Sequence, residues 1–374
     1  MLELIFHLIC RVKSILALAV NVIIYARSKD IYLTANGGDM QCNDESLKAI
    51  AGNEPTNLQR SRRLFLTSAA LTGVALANGG CSTLGVGGGT NPGEIRQGSF
   101  ATSDGAKLNY LESGRGRPIV MIPGWSQTAE MFSDQISAFS ANYRVIALDM
   151  RGHGDSSKPE HGYRMARLAK DLHEFLDGMN LSKATLVGHS MGCSVIWSHW
   201  NLFGNHRTHS MILIDQAPCT TFGPSWTDAE KAEAGAVFSP QSLYDTATAL
   251  AGMDGEATTA GLVNGMFFTK DYPEAKKKYA LAQNLKFPRK PAAALLVDHC
   301  VQDWRDTISR INVPTLVVGA KGSFFNPKSQ EWIASKIPGA KVEIFGVEEG
   351  GSHFMFMENS QKFNKIALSF LAST

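Results

Sequence analysis

From residue 97 onward, short apolar runs alternate with longer segments in which apolar residues recur at helical spacing. The short runs are four to six residues long and occupy residues 118–122, 143–148, 184–187, 211–214 and 314–319, and a strand-like run with two charged residues follows at 341–345. Strands that are apolar throughout are typical of a parallel sheet with helices on both faces. The pattern therefore predicts a doubly wound α/β core whose sheet is mostly parallel.

A glycine-flanked serine follows the run at 184–187, in the segment Gly188-His189-Ser190-Met191-Gly192. Such a segment can form a sharp strand-to-helix turn that leaves the serine hydroxyl exposed at the carboxyl edge of the sheet. Side chains at the two flanking positions would collide with neighbouring backbone, so the turn requires glycine at both positions for steric reasons. The segment predicts Ser190 as a nucleophile, although these five residues alone are also compatible with an ordinary Gly/Ser turn.

Three further motifs give this turn its context. The run at 118–122 leads into Pro-Gly-Trp at 123–125, and the run at 143–148 ends in Asp-Met-Arg-Gly-His-Gly-Asp-Ser at 149–156. His353 lies in a Gly/Ser loop after the run at 341–345. In this order, the four motifs resemble the α/β-hydrolase family over residues 97–374. The resemblance implies an α/β fold with a doubly wound, mostly parallel, eight-stranded sheet and an inserted helical cap.

The resemblance also implies a division of the chain. Residues 95–220 would form the first part of the core, 221–306 the helical cap and 307–374 the second part of the core. A cap would exclude water from the site and shape the acyl pocket. In the helix after the serine, Val195, Ile196 and Trp200 are spaced to face the core, whereas His199 is predicted to be a surface or capping residue.

A serine hydroxyl needs a base, and the base needs a group that holds its tautomer. His353 is the predicted base because of its loop between the last strand and a final helix at about 359–371. In most family members the acid follows the strand at 314–319, where this chain has Lys321 and Gly322. The resemblance includes a subgroup, among them some haloalkane dehalogenases and lipases, with the acid one strand earlier. Asp215 ends that strand and is the predicted acid; the alternative is an aspartate that only stabilises its loop.

The remaining site predictions concern the oxyanion and the pocket. The family geometry assigns the two oxyanion donors to the backbone N–H groups of Trp125 and Met191. Glu348 and Glu349 adjoin the histidine loop and are expected to face solvent. The predicted pocket residues are aromatic or imidazole side chains: Trp125, His189, Trp226, Phe267 and Phe268.

A second charged cluster lies at Asp149, Arg151, His153 and Asp155. Its residue types would suit a metal site or a charged active-site cluster. Its sequence matches a structural loop that is common in the family, and we favour that interpretation. The resemblance implies neither a metal nor a cofactor.

Composition narrows the choice of partners. The 36 basic and 34 acidic side chains nearly cancel, and no basic stripe with interleaved aromatics is present, so nothing in the sequence indicates nucleic acid binding. The six cysteines have no metal-ligand spacing. Cys193, directly after the turn, is predicted to be buried. The expected partner is a small, ester-like molecule.

The first 95 residues differ from the rest. The apolar stretch at 1–25 is interrupted by His7, Arg11 and Lys13, so it is too short to span a bilayer. Arg62 and Arg63 precede an uncharged apolar run and an Ala-Leu-Ala segment at 75–77. This arrangement resembles a twin-arginine export signal and predicts a periplasmic or secreted protein without a membrane span after cleavage.

The arginine pair lies further along the chain than export signals normally do. Met40 would be a better start, so residues 1–39 are predicted to be an upstream extension that is not translated in the native protein. Residues 40–94 would then hold the signal and a Gly-rich linker. Two alternatives stay open: a lipid attached at Cys81, or a disordered arm on a cytoplasmic enzyme.

These features predict a serine hydrolase that cleaves a carboxylic ester through an acyl-enzyme. Perhydrolysis, as in haloperoxidase-like members, and lactone or carbon–carbon bond hydrolysis would use the same residues. A serine at position 190 excludes relatives that work through an aspartate ester. The glycine at position 322 keeps a second class open, namely a non-catalytic homologue that only binds a ligand.

Overall fold

A computed structural model describes residues 93–374, and the backbone of residues 22–27, 30–35 and 38–42. The chain divides into two compact units, Met1–Ser82 and Thr83–Thr374. In the first unit, β1 (Val22–Arg27), β2 (Asp30–Ala35) and β3 (Gly38–Cys42) form an antiparallel sheet in that order. The arginine pair, the predicted cleavage site and Cys81 lie outside the described residues, so the export signal stays a prediction.

The second unit is built on an eight-stranded sheet. Its strands are β4 (Arg96–Ala101), β5 (Lys107–Ser113), β6 (Pro118–Ile122), β7 (Arg144–Leu148), β8 (Ala184–His189), β9 (Thr208–Ile214), β10 (Thr315–Ala320) and β11 (Lys341–Phe345). Their order is β11-β10-β9-β8-β6-β7-β5-β4. Strands β6 to β11 pair in parallel, and β4 and β5 add an antiparallel edge. The predicted doubly wound, mostly parallel sheet is confirmed.

Alternate residues of each central strand point into two separate apolar clusters. In β6, Val120 and Ile122 belong to one cluster, whereas Ile119 and Met121 belong to the other. The first cluster is covered by α2 (Met165–Gly178), α3 (Met191–Phe203) and α10 (Pro327–Lys336), and the second by α1 (Ser133–Phe139), α11 (Met355–Glu358) and α12 (Ser360–Ala372). Burial on both faces explains why the central strands β6, β8, β9 and β10 are largely apolar.

The segment between β9 and β10 is mostly helical. Its helices are α4 (Asp228–Ala234), α5 (Pro240–Ala251), α6 (Gly255–Leu262), α7 (Glu274–Asn284), α8 (Arg289–Cys300) and α9 (Arg305–Ile308), and a wider turn at Val263–Phe267 continues α6. Two of them begin at sequence signals that satisfy free N–H groups: Thr227 caps α4, and Ser239 caps α5 ahead of a proline. We call residues 221–306 the helical insertion.

One prediction about the helix after the serine is wrong. His199 lies on α3 with only 1% of its surface exposed, and neither ring nitrogen has a hydrogen-bond partner among the described residues. Burial lowers its pKa to about 3, so the ring is neutral at pH 7. The prediction failed because α3 is buried over its first ten residues, and a polar residue type does not reveal this. None of the described helices is long and apolar enough to cross a membrane.

Candidate active site

Ser190 lies at a strained turn between β8 and α3. Its backbone has a φ of 53° and a ψ of −128°, which few residues other than glycine adopt. Its N–H donates to the Ile214 carbonyl at 2.8 Å, which ties the turn to the end of β9. A Cβ on Gly188 would lie 2.6 Å from the Cys193 nitrogen, and one on Gly192 would lie 2.1 Å from the Ile122 oxygen. The predicted steric need for both glycines is confirmed.

This close packing also brings the two predicted oxyanion donors onto adjacent segments. Gly192 contacts the last residue of β6, directly before the loop that contains Trp125. Met191 is the first residue of α3, so its N–H has no acceptor within the helix. Trp125 is held from the other side, because its Nε1 donates to the Ala292 carbonyl of α8 at 2.7 Å. The helical insertion is thereby bonded to the loop of the predicted donor.

His353 and Asp215 form a buried hydrogen-bonded pair. His353 Nδ1 lies 2.7 Å from Asp215 Oδ2, and the two residues are 1% and 0% exposed. Asp215 directly follows β9 with a φ of 45°, and its N–H donates to the Val318 carbonyl at 2.8 Å. This strained backbone turns the carboxylate toward the histidine loop. The contact is the one that a base and its orienting acid would make.

Burial disfavours charge on both members of the pair. It lowers the pKa of His353 to about 3, so the imidazole is neutral at pH 7. It also raises the pKa of Asp215 well above the usual carboxyl value, and the hydrogen bond from Ser323 opposes this shift. Nδ1 of the neutral ring faces Oδ2 of Asp215, so the hydrogen bond between them orients the imidazole. Such a pair leaves His353 Nε2 able to accept a proton from a nucleophile.

At Gly322, the position where most family members have the acid, the backbone of the histidine loop leaves no space for a side chain. Gly322 N–H donates to the Gly351 carbonyl at 2.8 Å, and a Cβ on Gly322 would lie 2.6 Å from that same oxygen. A carboxylate side chain could not be added here without moving the histidine loop. The next residue, Ser323, supports the pair instead, because its Oγ donates to Asp215 Oδ2 at 2.5 Å. Sequence reasoning missed Ser323, whose only signal is its place directly after the glycine at the usual acid position.

A cavity of about 110 Å³ lies where the helical insertion meets the carboxyl edge of the sheet. Ser190 and His353 both line it. Most of the remaining lining side chains are apolar: Val237, Phe238, Leu262, Met266, Phe267 and Leu296 come from the insertion, and Phe324 and Phe325 from the loop after β10. This wall can hold an apolar group next to the serine.

Two of the five predicted pocket residues line the cavity, and three do not. Trp125 and Phe267 line the cavity, whereas the described lining does not include His189, Trp226 or Phe268. Phe268 stacks on Phe354 with ring centroids 4.8 Å apart, and the Trp226 ring lies under Arg305 at 4.7 Å. The assignment of these three residues to the wall is therefore corrected. An aromatic residue in the insertion packs on its own layer as readily as on the cavity, and spacing along the chain does not distinguish the two.

His189 lies beneath the site. Its Nε2 donates to the His353 carbonyl at 2.8 Å, and its Nδ1 is 2.7 Å from Gln127 Oε1. Burial and the nearby His353 lower its pKa well below the usual value. Its contacts position the backbone of the histidine loop, and its sequence position next to the serine explains why it was a pocket candidate.

The charged loop after β7 has structural partners. Asp149 Oδ1 accepts from the Ala129 N–H at 2.7 Å, and Arg151 makes two bonds of 2.9 Å to the buried Asp171. His153 Nδ1 donates to the Arg151 carbonyl at 2.9 Å. These contacts agree with the structural interpretation of this loop.

One other group could hold a metal ion among the described residues. Ligand atoms of His173, Asp177 and His206 lie within 4.8 Å of one another near the protein surface. None of the three lines the cavity, and Asp177 is already paired with Arg207 and His206. These ion pairs account for the cluster without a metal.

Comparison with known proteins agrees with this architecture. The family model described as alpha/beta hydrolase fold matches residues 117–360. A non-heme chloroperoxidase of Kitasatospora aureofaciens is 29% identical over 286 residues, which cover 72% of this chain and 98% of that protein. A solved bromoperoxidase from Bacillus anthracis superposes with a TM-score of 0.67 at 23% identity, covering 74% of this chain and 100% of that one.

A solved esterase from Exiguobacterium antarcticum superposes nearly as well, with a TM-score of 0.66 at 25% identity. The match covers 73% of this chain and 98% of the esterase. The chain belongs to the α/β-hydrolase fold family. Its relatives carry names of more than one activity, so the reaction has to be argued from the site.

Proposed function

We propose that the protein is a serine hydrolase that cleaves small carboxylic esters through an acyl-enzyme. One observation carries the proposal: a cavity that contains Ser190 also contains His353, whose Nδ1 is bonded to Asp215 at 2.7 Å. A hydroxyl nucleophile, a neutral base and an orienting carboxylate are the parts that acyl transfer requires.

In the proposed reaction, Ser190 Oγ attacks the ester carbonyl while His353 Nε2 takes the hydroxyl proton. The carbonyl oxygen becomes an oxyanion between the N–H groups of Met191 and Trp125. Asp215 holds the Nδ1–H tautomer and stabilises the imidazolium that forms. The imidazolium gives its proton to the leaving alcohol, and a water activated by the same imidazole releases the acid from Ser190.

The cavity favours a small apolar group on the substrate. Its volume of about 110 Å³ is below the few hundred Å³ of typical ligand pockets. The wall residues include no lysine or arginine, so a charged acid group would find no counter-ion among the described lining. Short, uncharged acyl esters therefore fit better than long-chain or anionic ones.

The test is hydrolysis of p-nitrophenyl butanoate by the full chain and by Ser190→Ala and His353→Ala. Each substitution should lower kcat by about 10³-fold or more, because nucleophile and base act as a unit. Glu349→Gln is the control, since Glu349 bonds Lys362 and the Gly346 N–H near the histidine loop but has no place in the proposed reaction.

A fluorophosphonate probe should add its mass to the wild type and not to Ser190→Ala. Full activity of Ser190→Ala would contradict the proposal. A wild type that neither turns over esters nor takes up the probe would favour the ligand-binding alternative.

Perhydrolysis is a second candidate, favoured by the similarity to a non-heme chloroperoxidase over 98% of that protein. Here hydrogen peroxide would replace water at the acyl-enzyme, giving a peracid and free serine. The two reactions share every step up to that point. Peracid formation from acetate and hydrogen peroxide in the presence of bromide would distinguish the second candidate from simple hydrolysis, because the peracid oxidises bromide to a species that brominates monochlorodimedone.

A further inference from the structure

The helical insertion contributes one imidazole to the cavity wall, that of His299. This residue lies at the C-terminal end of α8, one turn after Leu296, which also lines the cavity. It is only 5% exposed. Its surroundings in the wall are largely apolar, so its presence there calls for a polar partner.

Apart from Ser190 and His353, four other wall side chains that carry nitrogen or oxygen have a hydrogen-bond partner for at least one polar atom. Each is bonded to a backbone group: Thr220 Oγ1 to the Cys300 carbonyl at 3.0 Å, Thr246 Oγ1 to the Ser242 carbonyl at 2.8 Å, Trp125 Nε1 to the Ala292 carbonyl at 2.7 Å, and Gln127 Oε1 to the Gly124 N–H at 2.8 Å. The hydroxyl groups of Thr220 and Thr246 and the Trp125 indole N–H are therefore already used within the protein.

His299 differs from them. Neither ring nitrogen has a hydrogen-bond partner among the described residues; Nδ1 is fully buried, so Nε2 is the ring nitrogen that a ligand in the cavity can reach. Burial lowers its pKa to about 4, so the ring is neutral at pH 7 and offers one N–H donor and one nitrogen acceptor. A ligand group that bonds Nε2 in this largely apolar wall gains a hydrogen bond that water does not compete for.

We infer that His299 binds an uncharged hydroxyl group of the substrate, and that the preferred substrates are short hydroxy esters. A hydroxyl both donates and accepts, so it can pair with either tautomer of a neutral imidazole. A carboxylate would need a cation, and no lysine or arginine lines the described cavity. The inference rests on the proposed ester hydrolysis and adds the chemistry of the substrate.

The experiment compares kcat/KM for three esters. Ethyl butanoate has no hydroxyl group, ethyl 3-hydroxybutanoate has one on the acyl group, and 2-hydroxyethyl butanoate has one on the alcohol group. Wild type should prefer at least one hydroxy ester over ethyl butanoate by about tenfold, the effect of one buried hydrogen bond. His299→Leu should abolish this preference, so that the ratio of kcat/KM between each hydroxy ester and ethyl butanoate falls to about one.

His299→Gln keeps a donor and an acceptor and should retain part of the preference, which a merely structural role would not predict. His161→Leu, an exposed histidine away from the cavity, is the matched control. A wild type without any preference, or a preference that survives His299→Leu, would overturn the inference. Loss of turnover on all three esters by wild type itself would instead contradict the proposed hydrolysis.

Discussion

The ends of β9 and β10 lie side by side at the same edge of the sheet, yet they are used in opposite ways. Ile214 pairs with Val318, so both strands point their carboxyl ends at the histidine loop. The end of β9 presents a side chain, the Asp215 carboxylate. The end of β10 presents backbone, the Gly322 N–H that is bonded to Gly351.

In the proposed reaction, the place of the orienting acid is set by the space around the histidine. Either strand end is near enough in principle, because parallel strands end at a common edge. Here the β10 end is packed backbone to backbone against the loop of His353, which leaves room for no side chain at Gly322. The carboxylate comes from the neighbouring strand, and Ser323 from the closed position bonds to it.

The largest expected effect comes from removing the charge at the β9 end. Asp215→Asn should lower kcat on p-nitrophenyl butanoate by about 10³- to 10⁴-fold, because the amide no longer fixes the productive tautomer of His353. Steady-state kinetics would measure this. Activity within tenfold of wild type would place the acid elsewhere, and Glu348 and Glu349 would be examined next.

Moving the acid to the β10 end is expected to fail. In Asp215→Asn/Gly322→Asp, the new side chain would collide with the Gly351 carbonyl, so activity should not recover and the midpoint of thermal unfolding should fall by several degrees. Calorimetry and kinetics on the double variant check both parts. Recovery of activity to within tenfold of wild type would show that the histidine loop can move to accept the side chain.

The smallest expected effect is on stability, and its sign is opposite to the effect on activity. Burial raises the pKa of Asp215, so the folded protein ionises this group less readily than the unfolded chain does. Such a group lowers stability above the unfolded pKa of about 3.9 and has no effect below it. Asp215→Asn should therefore unfold a few degrees higher than wild type at pH 7.5.

That gain should shrink as the pH falls toward 4. Thermal unfolding of both proteins at several pH values measures the trend. A lower unfolding midpoint for Asp215→Asn at pH 7.5 would mean that the hydrogen bonds of the carboxylate outweigh its burial.

The sequence predicted the sheet well because its strands carry a strong signal. All six predicted strands are present, and 118–122 and 341–345 match β6 and β11 residue for residue. Strands β4 and β5 were not located, since the exposed and intermediate positions of β4 lack a continuous apolar run. The hydrophobic pattern along the chain identifies strands that are buried on both faces, but it gives little signal for strands at the edge of a sheet.

The site was predictable only where a motif encodes geometry. The turn at Ser190 could be anticipated because two glycines are required by its sterics. His299, Phe324 and Ser323 could not, because their roles depend on long-range packing between the insertion and the sheet edge. The same limit explains the wrong placement of His199, whose burial is decided by the helices around α3 and not by its own residue type.

The hydrogen bond from Trp125 Nε1 to Ala292 has a consequence for how such a molecule can diversify. Its acceptor is a main-chain carbonyl, which every amino acid supplies. The side chains of α8 can therefore be replaced during evolution while the helix keeps its register against the core. Substitutions in the insertion can therefore change substrate preference without moving the loop that contains Trp125.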